Sequence, residues 1–231
     1  KELTWATEGG DFPDLLELPA IVSDLHMHTT ASDGAQSIEQ MVEAARKIDR
    51  THIAITDHSK RVSMANGLDE TRLLEQWKTI DKLNAKWDDF RVLKGVECDI
   101  LEAGPLDIAD EVLAEADWVV ASVHYGQKQS RAEITDRIVG ALKNPHVDAI
   151  GHPTGRLIGA RPPYAVDMDA VFQAAAEFGK CLELNANPRR LDLSEEHLMM
   201  AIARGIPITI NSDAHSIDGM HVMHYGVTQA R

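Results

Sequence analysis

Short apolar runs rich in Val and Ile alternate along this chain with longer segments whose apolar residues recur at helical spacing. The runs read as seven strands: Ile21–His28, His52–His58, Arg91–Ile100, Trp118–His124, Ala149–His152, Cys181–Asn187 and Pro207–His215. Helical stretches follow most of them. Ser37–Lys47 opens on Ser37 as N-cap and sets Ile38, Met41, Val42 and Ala45 on one face; Asp69–Trp87 offers Leu73, Leu74, Trp77, Ile80 and Leu83. Further helices are predicted over Arg131–Leu142, Asp167–Phe178 with Asp167 as cap, and Ser194–Ala203, ended by Gly205. Two elements are weak: Leu106–Ala114 is short and acidic, and Ala149–His152 is brief for a strand. Strand then helix, repeated, predicts parallel strands in an α/β domain.

The polar residues decide how such a sheet closes. His26, His28, Asp33, His58, Glu97, His124, His152, Asp213 and His215, all potential metal ligands, sit at or just beyond the ends of the apolar runs. In an open sheet, site residues gather at a switch point served by a few strands. Here nearly every strand supplies one, and a barrel brings all its C-terminal strand ends around one mouth. The pattern therefore predicts a TIM-like (β/α)7 barrel with its site at that mouth. Parity agrees: Asp24, His26 and His28 share one face of their strand, and Asp213 and His215 repeat the spacing on the last. First and last strands are neighbours in a closed barrel, so two imidazoles and a carboxylate converge. An isolated histidine at a strand end is more often a hydrogen-bonded structural residue than a ligand, but six together reverse that reading. His52, His146, His197, His221 and His224 lie elsewhere and read as structural or surface residues.

Composition narrows the chemistry. The 231 residues suffice for one barrel domain, and no apolar run approaches the roughly 18 residues of a membrane span. No secretory signal pattern is present, so the expected location is the cytoplasm. Cys98 and Cys181 fall inside predicted strands and read as buried apolar residues, which leaves nitrogen and oxygen donors suited to Mn, Zn, Fe or Mg-like ions. A formal net charge of −14 argues against a strong autonomous duplex-binding surface. Several divalent cations beside only three carboxylates would still make the site locally positive, which suits an anionic substrate such as a phosphate ester. Residues 1–20 are acidic, carry Gly9, Gly10, Pro13 and Pro19, and read as a lead-in to a domain over 21–231. The loop from Gly155 to Pro163 mixes Gly, Arg and Pro; it reads as a solvated loop or as a cover over the mouth.

The ordered motifs Asp24-Leu25-His26-Met27-His28-Thr29, Ser32-Asp33-Gly34, Thr56-Asp57-His58, Gly95-Val96-Glu97, Ser122-Val123-His124, Gly151-His152-Pro153 and Ser212-Asp213-Ala214-His215 resemble the PHP family, named for polymerase and histidinol phosphatase. The resemblance covers about residues 21–231. Gly151 to Gly159, Asn185-Ala186-Asn187-Pro188 and Tyr225-Gly226-Val227 are most similar to the branch that forms the C-terminal domain of bacterial family X DNA polymerases. Phe12 to Leu18 is similar to the tail joining that domain to the polymerase part, which is missing here. The resemblance implies a distorted seven-stranded barrel holding three divalent ions, Mn and/or Zn with Fe as a further choice. By motif, His26, His28, Glu97 and Asp213 would hold the first; Glu97 would bridge to the second with His124 and His152; Asp33, His58 and His215 would hold the third. Asp24 and Asp57 are expected to orient imidazoles from behind.

The implied chemistry is metal-assisted hydrolysis with solvent as nucleophile. Lys60, Arg156, Arg161, Arg189 and Arg190 are candidates for stabilising phosphoryl charge, and Ser59 reads as structural. Three functions follow: a phosphodiesterase or 3′-5′ exonuclease acting on DNA 3′ ends, a phosphatase of small esters such as histidinol phosphate or a promiscuous phosphotriesterase, and a non-catalytic metal-stabilised module. Hydrolysis of C–N bonds on a similar barrel is disfavoured, because no lysine ends the fourth strand to become a bridging carbamate.

Overall fold

A computed structural model describes residues 15–231, so the lead-in expected over 1–20 lies largely outside the described residues. Seven strands form one sheet in sequence order: β1 Ser23–Asp24, β2 His52–Ile55, β3 Arg91–Asp99, β4 Trp118–Ser122, β5 Ala149–Ile150, β6 Cys181–Asn185 and β7 Ile208–Asn211. Every adjacent pair is parallel. The first and last strands close on each other through single contacts instead of a full ladder: Met27 bridges Ala214, and the His28 amide donates to the Ala214 carbonyl at 2.8 Å. The result is a nearly closed α/β barrel.

Helices α1 Ile38–Lys47, α2 Glu70–Asn84, α3 Asp110–Leu113, α4 Arg131–Lys143, α5 Met168–Phe178 and α6 Glu195–Ile202 follow β1 to β6 in turn. Ser37 and Gln40 make the reciprocal capping box that starts α1, and its Met41, Val42 and Ala45 are buried in the core. In α2, Leu73, Trp77 and Ile80 do the same, and the Trp77 indole N–H donates to the Gly95 carbonyl at 3.0 Å. The weak acidic segment yields one helical turn, α3. A final helix, α7 Met223–Ala230, was not predicted; its Gly226 packs where a Cβ would stand 2.6 Å from Ile210 Cγ2 and 2.7 Å from Ala186 Cβ. Among the described residues no helix is long and apolar enough to cross a membrane.

Strands are shorter than the apolar runs suggest, most of all β1, with two residues, and β7, with four. On β1, β4, β5 and β7 the chain leaves the ladder two residues before the donor, His26, His124, His152 and Asp213 respectively, whereas β3 carries Glu97 within the regular strand. His152 and Asp213 show the departure directly, with φ of 30° and 54°. That left-handed region disfavours non-glycine residues and is held only where surrounding contacts over-determine it.

Candidate metal centre

All nine predicted donors meet at the mouth. Glu97, on the long and regular β3, is the hub. Its Oε1 lies 2.9 Å from His152 Nε2, 3.3 Å from His124 Nε2 and 3.4 Å from His26 Nε2, and its Oε2 lies 2.8 Å from His58 Nδ1 and 3.7 Å from His28 Nε2. Asp213 Oδ1 stands 3.2 Å from His28 Nε2 and 3.7 Å from His26 Nε2. Asp33 faces His215 Nε2 at 3.5 Å and His58 Nε2 at 3.6 Å. The His28 ring lies against both His58 and His215, with centroids 4.3 and 4.1 Å away, and those two rings are themselves 5.9 Å apart. Gly151 makes room for this crowding, since a Cβ there would stand 2.5 Å from Ser122 Oγ and 3.4 Å from His26 Cε1.

A layer beneath fixes the rings. His26 Nδ1 meets Glu183 Oε1 at 2.7 Å and His124 Nδ1 meets Asp99 Oδ1 at 2.9 Å. His215 Nδ1 meets the Asp213 carbonyl at 2.9 Å, so that nitrogen must carry the proton. In all three the Nδ1 contact leaves Nε2 free to face the cavity. Glu183 also accepts the His152 amide at 2.7 Å and the Asn211 amide at 2.9 Å, helping to hold the strained His152 backbone. Glu183 and Asp99 were missed in the sequence, yet a signal was there: each is a carboxylate on the inward parity of a strand, Glu183 between Leu182 and Leu184, Asp99 two residues after Glu97. The two acids expected in this role do something else. Asp24 accepts from the Ser212 amide at 3.1 Å and from its hydroxyl, joining the first and last strand exits. Asp57 accepts from Thr29 Oγ1 and Gln76 Nε2, both at 2.6 Å, and from Ser32, so it pins the loop that carries Asp33.

Electrostatics shows why the donors fit cations. Burial pushes the His26 imidazole down, but Glu183, Glu97 and Asp213 together hold it well above its ordinary value. His124 is likewise raised to about 10 against its burial by Glu97 and Asp99, and His215 to about 9 by Asp33 and Asp213. His28 goes the other way, to about 4, through burial and the charges of His58 and His215. Burial would raise Glu97 and Asp213, yet neighbouring imidazoles hold both carboxyls well below their usual range. Buried ring nitrogens, among them His26 Nε2 and His28 Nδ1, have no hydrogen-bond partner, although carboxylates lie close by. Two donors bound tetrahedrally to one cation at about 2.0 Å stand roughly 3.3 Å apart. Many contacts here have that spacing, too long for good hydrogen bonds and suited to a shared ion. Three sets have one donor atom from each residue within 4.8 Å of one another: His28, Asp33, His58 and His215; His26, His28 and Asp213; His58, Glu97 and His124.

The PHP domain model matches residues 24–187. A probable phosphatase of Caldanaerobacter subterraneus is 34% identical over 84% of this chain and 76% of its own length. The chain belongs to the PHP domain family. It thus falls among metal-dependent phosphoesterases, hydrolases that act on phosphate esters. The DNA polymerase/3′-5′ exonuclease PolX of Bacillus subtilis is 52% identical over 96% of this chain, which spans 39% of that relative's length. In fold, this PHP domain matches a putative histidinol phosphatase of Listeria monocytogenes with a TM-score of 0.64, at 15% identity, over 86% of this chain and 97% of the other. It matches a histidinol phosphate phosphatase of Lactococcus lactis, complexed with zinc, L-histidinol and phosphate, with a TM-score of 0.61 at 20% identity, over 90% and 93% of the two chains.

A cavity of about 480 Å³ opens over the donors, and Val62, Met64, Ala65, Tyr125 and Arg190 complete its lining. Of the five cations singled out in the sequence, Arg190 alone lines this cavity, with Nε 3.5 Å from Asp213 Oδ2. Arg156 is bound to the carbonyls of Arg190 and Leu191, so it braces the loop that presents Arg190. Arg161 donates to the Gly155 carbonyl at 2.7 Å, Lys60 pairs with Glu70 at 2.5 Å, and Arg189 is exposed.

Proposed function

We propose that this domain is the hydrolytic part of a bacterial family X DNA polymerase and cleaves phosphodiesters at DNA 3′ ends, in the cytoplasm, with residues 21–231 as the catalytic unit. One observation carries the reading: 52% identity over 96% of the chain to a protein named as polymerase and 3′-5′ exonuclease, supported by a cavity lined by Asp33, His58, Glu97, His124, His152, Asp213 and His215. The polymerase part and its DNA grip would lie in the remainder of the parent chain, which reconciles a nuclease role with a net charge of −14.

His26, His28, Glu97 and Asp213, then Glu97 with His124 and His152, then Asp33, His58 and His215 would hold three divalent ions, manganese or zinc. Such ions, when bound, lower the pKa of water toward ~7 and polarise phosphoryl oxygens. The protein's own part is positioning and charge. Glu97 is held ionised at the centre, Glu183 and Asp99 keep imidazoles turned inward, and Arg190 offers its guanidinium to a phosphoryl oxygen at the mouth. Lys60, Arg156, Arg161 and Arg189 have no such place in this scheme.

The test is a substrate panel on metal-stripped protein reloaded with manganese or zinc: a p-nitrophenyl diester, a monoester, histidinol phosphate and a labelled DNA strand with a free 3′ end. Shortening of the DNA strand with little monoester hydrolysis is expected. Preference for histidinol phosphate would select a small-ester phosphatase, the reading favoured by the probable phosphatases that share 84% of this chain. Thermal stabilisation by metal without any turnover would select the non-catalytic module.

A further inference from the structure

We propose that the apolar side of the cavity mouth, built on Tyr125 and Met64, is a stacking subsite for the base of the nucleotide whose phosphate is cleaved. The proposal rests on the phosphoesterase reading above and names what the same site recognises. The donors and Arg190 account for the charged part of the cavity lining; Val62, Met64, Ala65 and Tyr125 make up the rest, and of these Val62 and Ala65 are nearly buried while Met64 is exposed. A single exposed apolar side chain needs no explanation. An aromatic ring and a thioether lining the same cavity as a phosphoryl site are different, because a bare phosphate makes no use of them.

The wall is firmly built. Tyr125 follows His124, and its ring is backed by the Arg61 guanidinium, 4.4 Å from the ring centroid. Arg61 is fixed in turn by Glu102 at 2.6 Å, while its amide donates to Asp107 at 2.8 Å. Met64 is 92% exposed on the 3-10 turn Ser63–Ala65. That turn ends on Asn66 in the left-handed conformation, and Arg72 binds the carbonyls of Asn66 and Gly67 at 2.8 and 3.0 Å. The Asn66 amide reaches the Ala31 carbonyl at 3.0 Å, which ties the turn to the loop bearing Asp33. A planar ring one sugar away from the phosphate would lie on a cation-backed aromatic face, with a polarizable thioether beside it. Such stacking tolerates any base, as removal of successive 3′ nucleotides requires.

Calorimetric titration of the manganese-loaded protein with thymidine 5′-phosphate and with 2-deoxyribose 5-phosphate tests this, because the two ligands share the sugar phosphoester and the second lacks the base. The wild type should bind the nucleotide at least about tenfold more tightly, and Tyr125→Leu should lower that ratio about tenfold while Tyr125→Phe restores it. Met64→Ser, at an exposed position where the fold is not at risk, should lower the ratio by a few-fold. An unchanged ratio in Tyr125→Leu and Met64→Ser, or equal losses for both ligands, would overturn the proposal. So would a wild-type ratio near one, and continued hydrolysis of a p-nitrophenyl diester in that case would leave the phosphoesterase reading standing. Absence of hydrolysis on every ester would instead overturn that reading and this one with it.

Discussion

The two rims of the barrel use polar residues in opposite ways. At the rim where strands begin, several polar side chains are matched to backbone groups: Asp148 accepts the Val119 amide at 2.8 Å, Asp117 accepts the Lys94 amide at 2.9 Å, and Asn84 meets both Val92 N and Val92 O, at 2.9 and 2.8 Å. None of these groups converges on another. At the opposite rim, donors crowd against donors, buried ring nitrogens lack partners, and two of the donors themselves, His152 and Asp213, sit at positive φ. Buried polar groups in folded proteins are nearly always satisfied, so an unsatisfied cluster marks a place kept for something else. The fold's stability and its chemistry are thus separated along the barrel axis.

Replacing the hub should have the largest effect. Glu97→Gln keeps shape but removes the charge that five imidazoles face, and it should lower turnover by more than about 10³-fold, beyond the ~10²–10³ of one stabilising donor. Metal content measured by plasma spectrometry should drop in parallel. An active, metal-replete variant would break the contrast between the rims. One layer down, Glu183→Gln should cost about 10–100-fold in metal affinity or activity, as loss of a ligand's supporting partner does, with the barrel still folded by circular dichroism.

Asp192 separates the stability of the mouth from its catalysis. Burial lifts its carboxyl to about 6, although the Thr154 amide and the charges of Arg156 and Arg190 pull it down. The folded value lies above the unfolded one, so the native state binds more protons in between; stability falls as pH rises from about 4 to 6 and stays lower above that. Asp192→Asn removes this dependence, and its advantage over wild type in urea unfolding should grow across that window by on the order of 1–3 kcal/mol. A constant difference from pH 4 to pH 8 would show that the carboxyl titrates normally. The smallest effect belongs to the entry rim: Asp148→Ala should cost about 1 kcal/mol, the worth of one backbone hydrogen bond, with turnover per folded molecule unchanged. A loss of activity there would mean that the rims are coupled.

Much of this was legible in the chain itself. Period-2 and period-3.6 patterns located the strands and most helices, and the placement of His26 to His215 at strand exits pointed to a barrel mouth. Strand lengths were not legible, because the exit of His152 and Asp213 from the ladder is a tertiary event with no local signal. Helix α7 was missed since Met223–Ala230 holds Gly226, lacks a side-chain cap and gains its order from packing on β7 and Ala186. Nor does sequence tell where a long cation points: Arg156 and Arg161 find carbonyls in their own loops' surroundings, whereas Arg190 reaches the cavity. Asp24 and Asp57 adjoin donors in sequence, which suggests imidazole partners, but their carboxylates accept from the Ser212 and Thr29 amides and hold the strand-exit segments.

Anomalous diffraction from crystals of the protein grown with saturating manganese tests most directly whether this rim is a shared cation site. Three peaks are expected, each within about 2.0–2.3 Å of its donors, with Glu97 touching two of them. A map with no peak between Glu97 and the surrounding imidazoles would contradict the account.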